Sequence, residues 1–66
     1  MQVTINGEPR QVADPISLAQ AVALLTSAQA GVAAAVNGDV VRRAAWNSTA
    51  LADGDEVEVL TAVQGG

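Results

Sequence analysis

Nothing in this chain can cross-link it. Cysteine and histidine are both absent, so a disulfide framework and a thiolate or imidazole metal site are both closed to it. Its 66 residues must fold on side-chain packing alone. A single core of that size supplies about 3–5 kcal/mol, and there is room for one domain only. Half of the residues are apolar, yet Trp46 is the only aromatic, so the core has to be built from Val, Leu, Ile and Ala. The lack of histidine also removes the commonest general base, and no carboxylate pair sits in a context that points to acid–base catalysis.

The net charge is −4, lysine is absent, and the three cations are Arg10, Arg42 and Arg43. Phosphate neutralisation drives nucleic-acid binding, so an acidic chain without a basic patch argues against a nucleic-acid partner. The same reasoning argues against anionic membrane surfaces. No apolar run approaches the roughly 20 residues that span a bilayer, and no charged-then-apolar leader is present. The expected location is the cytoplasm.

Local patterning predicts the elements. Met1 to Ile5 alternates apolar and polar residues, as a half-buried strand does. Asn6-Gly7 suits a type I′ hairpin turn, whose two central residues need positive φ. A return strand through Arg10, Gln11 and Val12 follows, with Pro9 confined to its start or to a sheet edge. Asp14-Pro15 ends it. Ser17 with Gln20 forms a capping box ahead of Leu18, Ala21, Val22 and Leu25, which make one apolar stripe of a helix. Gly31 can close that helix or the loop after it. Val32–Val36 followed by Asn37-Gly38 reads as a strand entering a second hairpin, with Val40, Val41 and Arg42 as a short return. Arg43 to Ala52 is irregular, with one helical turn near Trp46. Asp53-Gly54-Asp55 is a turn, and residues 56–63 are the clearest strand. Two strands, a helix, two strands and a last strand make an α+β roll, a mixed sheet of four to five strands with one main helix on one face.

Period-two alternation puts Val57, Val59, Thr61 and Val63 on one face of the last strand, to be packed under the helix. Glu56, Glu58, Leu60 and Ala62 lie on the other face, where an apolar spot rimmed by charge can meet a partner. Asp53, Asp55, Glu56 and Glu58 are four of the seven acidic residues, and their joint field would steer the chain toward a basic groove. Trp46 reads as core packing, and Arg42-Arg43 as a solvated edge that discourages strand pairing.

The most informative residues are Gly65 and Gly66. Glycine averages roughly 7% of residues, so a terminal pair arises by chance in about 0.5% of chains. Without Cβ atoms, Gln64-Gly65-Gly66 can thread a narrow channel in another protein, and nothing branches beside the terminal carbonyl. Residues 1–63 are expected to form the domain and 64–66 a flexible tail. A carboxylate is anionic at neutral pH and a poor electrophile until it is converted to a mixed anhydride such as an acyl-adenylate. The sequence carries no phosphate-binding loop for that conversion, so the activating chemistry belongs to a partner. Once activated, Gly66 can accept sulfur and become a thiocarboxylate.

These features resemble the ThiS family, the sulfur carrier proteins of thiamine biosynthesis, across the whole length. The matching segments are Met1 to Gly7, Leu18 to Leu25, Val36-Asn37-Gly38-Asp39-Val40-Val41, Trp46 and, most specifically, Asp53 through Gly66. Arg42-Arg43 departs from the pattern, because family members often carry proline before the arginine; the departure touches a loop and not the tail. The resemblance implies a ubiquitin-like β-grasp fold and a carrier that is not itself an enzyme. An adenylating enzyme would use ATP and Mg²⁺, neither held by this chain, to activate Gly66. A cysteine desulfurase relay would supply sulfur, and thiazole synthase would take it into the thiazole ring. Alternatives are the small subunit of molybdopterin synthase, a ubiquitin-like protein modifier, which could not form lysine-linked polymers of itself, and an interaction module with an inert tail.

Overall fold

A computed structural model describes residues 1–27 and 31–61. In chain order the elements are β1 (Gln2–Ile5), β2 (Glu8–Gln11), α1 (Leu18–Ala23), β3 (Val32–Val36), β4 (Asp39–Val41), a 3₁₀ helix (Arg43–Ser48) and β5 (Glu56–Thr61). The strands form one five-stranded sheet in the order β2-β1-β5-β3-β4. β1 runs antiparallel to β2 and parallel to β5, and β3 runs antiparallel to both β4 and β5. This is the mixed α+β sheet of a ubiquitin-like β-grasp.

Both hairpins turn on Asn-Gly. The pairs Ile5↔Glu8 and Val36↔Asp39 each close over two residues. Their φ values are positive throughout, 51° and 84° at Asn6 and Gly7, 52° and 88° at Asn37 and Gly38, as a type I′ turn requires. Pro9 lies inside β2, opposite Thr4. The amide of Val12 bonds the carbonyl of Met1, so bonded pairs alternate from there and the Thr4–Pro9 pair is a non-bonded one. The missing N–H of Pro9 therefore faces away from β1 on an edge strand, where it costs no ladder bond.

The helix starts as its capping box dictates. The Gln20 amide donates to Ser17 Oγ at 3.1 Å and the Ser17 amide to Gln20 Oε1 at 2.9 Å. Leu18, Ala21 and Val22 are buried. Leu25 is not on the stripe: α1 ends at Ala23 and Leu25 is 37% exposed. The amides of Leu24 and Leu25 bond back to Ala21 and Val22, three residues away. That tighter 3₁₀ geometry turns each residue further round the axis than an α-helix does and rotates Leu25 off the core.

Val3, Ile5, Val57 and Val59 from the sheet meet Leu18, Ala21 and Val22 from α1, with Ala34, Ile16, Leu51 and Trp46 closing the core. Trp46 is 5% exposed, and its Nε1 donates to the Val41 carbonyl at 2.8 Å, so its one polar atom is satisfied. The expected helical turn around it is the 3₁₀ helix. Arg43 is more than a solvated edge, since its guanidinium carbon sits 4.8 Å from the Trp46 ring centroid, within cation–π range. The segment after the 3₁₀ helix is stitched to the start of α1: Leu18 N–H donates to Thr49 O and Leu51 N–H to Ile16 O.

Candidate functional site

The strand that leads toward Gly65 and Gly66 is central, flanked by β1 and β3. Its valines anchor it, with Val57 and Val59 buried. Thr61, expected on the same covered face, is exposed. On this strand the buried core residues among those described are Val57 and Val59, so the covered face stops one alternation short of Thr61. Val63, Ala62, Gln64, Gly65 and Gly66 lie outside the described residues.

Among the described residues, no helix covers the opposite face of the sheet. Glu56 and Glu58 are exposed there, and Leu60 is 71% exposed. The register adds neighbours. Ala33 pairs with Leu60, Ala35 with Glu58, and Ala35 with Val40, and Val40 is 79% exposed. Across three strands, Val40, Ala35, Ala33 and Leu60 thus form an apolar surface whose middle is low, because alanine carries only a methyl group. Glu58 rims it. Ala33, Ala35 and Val40 were not singled out from sequence. Alternation within Val32–Val36 could have placed the two alanines outward, but only the register shows that they lie between Val40 and Leu60.

The acidic cluster divides. Asp53 Oδ1 accepts from the Gln2 amide at 2.8 Å. Asp55 accepts from the Ala52 amide at 2.8 Å and from Asn37 Nδ2 at 3.0 Å. These two carboxylates staple the turn ahead of β5. They sit at the start of the strand, roughly 20 Å along it from Thr61, well beyond the ~8 Å over which salt leaves charge effective. Glu56 and Glu58 remain as the acidic rim of the outer face. Among the described residues, no three carboxylates converge as a metal site needs, and no helix is long and apolar enough to cross a membrane.

The family comparison bears on this geometry. The model of the ThiS family matches residues 3–66. The chain belongs to the ThiS family. Among solved ThiS-like structures, the crystal structure of the thiamine biosynthesis protein ThiS from Geobacter metallireducens is 38% identical and covers 100% of both chains, with a TM-score of 0.80. A solution NMR structure of a thiamine biosynthesis protein from the same organism gives 38% identity and a TM-score of 0.82, over 100% of this chain and 88% of the other. An uncharacterized Porphyra purpurea protein, ycf40, is 32% identical over 66 residues, 100% of this chain and 93% of its own length.

Proposed function

We propose that this ThiS-family chain is a sulfur carrier of thiamine biosynthesis that works through the carboxylate of Gly66. One observation carries the reading: the family match runs through Gly65 and Gly66, which follow the sheet's central strand in the sequence. The thiamine biosynthesis protein from Geobacter metallireducens, matched over its full length, favours thiamine over molybdopterin as the pathway.

The chemistry divides between carrier and partners. A carboxylate oxygen of Gly66 attacks the α-phosphorus of ATP, the bond to the β-phosphate oxygen breaks, and pyrophosphate leaves. The adenylating partner supplies ATP and Mg²⁺. The terminal sulfur of a persulfide on a cysteine desulfurase relay then displaces AMP at the acyl carbon to give an acyl disulfide. A second thiol of the partner cleaves its S–S bond, so that the Gly66 thiocarboxylate leaves and the partner's two sulfurs remain as a disulfide. Thiazole synthase consumes that sulfur. The carrier supplies no acid, base or metal to any step; it is a co-substrate. Gln64 and Gly65 are the residues that thread into the partner, and 64–66 form the arm. Leu60, Ala62, Glu56 and Glu58, extended by Ala33, Ala35 and Val40, form the docking face, with the two glutamates meeting basic groups.

Intact mass of the chain isolated from thiamine-starved cells is the direct test. A gain equal to one oxygen replaced by one sulfur at the C-terminus is expected; an unmodified chain in cells that are making thiamine overturns the reading. Leu60→Asp tests the docking face. Its side chain is exposed, so the melting curve stays native, while the KM for pyrophosphate release rises about tenfold.

A further inference from the structure

The two Asn-Gly turns share a second task at β5. Asn37 reaches the start of the strand: the Glu56 amide donates to Asn37 Oδ1 at 3.0 Å, and Asn37 Nδ2 donates to Asp55 Oδ1. Asn6 reaches further along. The Val59 amide donates to Asn6 Oδ1 at 2.8 Å, and Asn6 Nδ2 donates to the Val59 carbonyl at 3.2 Å. Both backbone groups of Val59 are thus satisfied by one side-chain amide, which mimics the backbone of a neighbouring strand.

Topology explains why that mimic is there. β1 pairs with β5 only at Thr4↔Glu56 and Ile5↔Val57. The chain then turns away at Asn6-Gly7, while β3 flanks β5 through Thr61. Past Val57, β5 has a strand on one side only. On the other side the amide of Asn6 stands where β1 would have continued. A part-buried backbone N–H and C=O left without partners would favour peeling of the strand. Peeling would carry Leu60, the next residue, away from Ala33 and out of the docking face.

We propose that Asn6 is a positioning residue for the C-terminal arm. Its amide carries the β1-side hydrogen bonding of β5 on to Val59, and so sets the point from which the arm departs relative to Leu60. The functional consequence rests on the carrier reading above. Asn37 is a built-in control, because it is also an Asn-Gly turn residue with positive φ whose amide grips β5, but at the end remote from the arm.

Glycine accepts positive φ without strain, so Asn6→Gly and Asn37→Gly each delete an amide and keep a turn. In Asn6→Gly, hydrogen exchange of the Leu60 amide, which alternation directs toward β3, is expected to speed about tenfold, the effect of losing two backbone partners next door. In Asn37→Gly it stays within about twofold of native. With purified adenylating enzyme and ATP, Asn6→Gly raises the KM for pyrophosphate release about fivefold and leaves kcat within about twofold, as loss of binding geometry does. Asn37→Gly leaves KM native. Asn6→Asp, which keeps an acceptor for the Val59 amide and loses the donor, falls between Asn6→Gly and native. Native Leu60 exchange in Asn6→Gly, or equal KM changes in the two glycine variants, overturns the proposal. Exchange is read on the free chain. Failure of the native chain to release pyrophosphate would therefore remove the carrier reading, and native exchange in Asn6→Gly would remove the grip.

Discussion

Deletion of Gly65 and Gly66 is expected to shift the thermal midpoint by less than about 4 °C and to lower pyrophosphate release by the adenylating partner more than about 100-fold. The two halves of that result have separate causes. Among the described residues the buried core lies between Val3 and Val59 and the sheet register runs through Thr61, so folding is expected to draw on neither glycine. Activation draws on both. A chain shortened by two residues presents its carboxylate about 7 Å short of the native position, and misplacement of a reacting group by even ~1 Å can cost about two orders of magnitude. The new terminal residue is also Gln64, whose side chain crowds the carbonyl. Circular dichroism melts together with a pyrophosphate assay check both halves. Full activity in the shortened chain would leave an interaction module with an inert tail as the better description.

Trp46→Ala is expected to do the reverse and remove the fold. Truncating a buried tryptophan costs about 3–5 kcal/mol, as much as a core of this size supplies in total. The indole is the only aromatic ring in the chain. It packs the 3₁₀ helix against α1, satisfies the Val41 carbonyl and lies beneath Arg43. No cooperative thermal transition should remain at 25 °C. Trp46→Phe keeps most of the packing and loses the N–H, a change of about 1 kcal/mol, and should melt cooperatively about 4–8 °C lower. A cooperative, near-native melt for Trp46→Ala would show that the aliphatic core suffices by itself.

Much of this fold was legible because its signals are local. Asn6-Gly7 and Asn37-Gly38 announce their hairpins through backbone φ alone, and Ser17 with Gln20 marks the first turn of α1. Val57 and Val59 declare the buried face of β5 by alternation. What stayed hidden depends on long-range register. Leu25 fits an ideal α-helical stripe, and only the tightening after Ala23 turns it outward. Asp53 and Asp55 read as part of a charge cluster, yet their oxygens are taken by amides of Gln2 and Ala52 and by Asn37. The surface shared by Val40, Ala35, Ala33 and Leu60 exists only when β4, β3 and β5 lie side by side. The grip of Asn6 on Val59 joins residues 53 apart in sequence. At the candidate site, Glu56, Glu58 and Leu60 were readable as an exposed row because period-two order shows it directly.

The position of β5 has a consequence for synthesis. Among the described residues it is the only strand that touches both hairpins, with β2-β1 on one side and β3-β4 on the other. An isolated hairpin is at best marginally stable in water. A ribosome that stalls before residue 56 thus releases two unjoined hairpins and a short helix with no shared interior, which quality-control proteases can remove. Closing the sheet requires translation to come within a few residues of Gly66. Attaining the native state therefore waits on translation of β5, and nearly every folded molecule in the pool has been translated past residue 56.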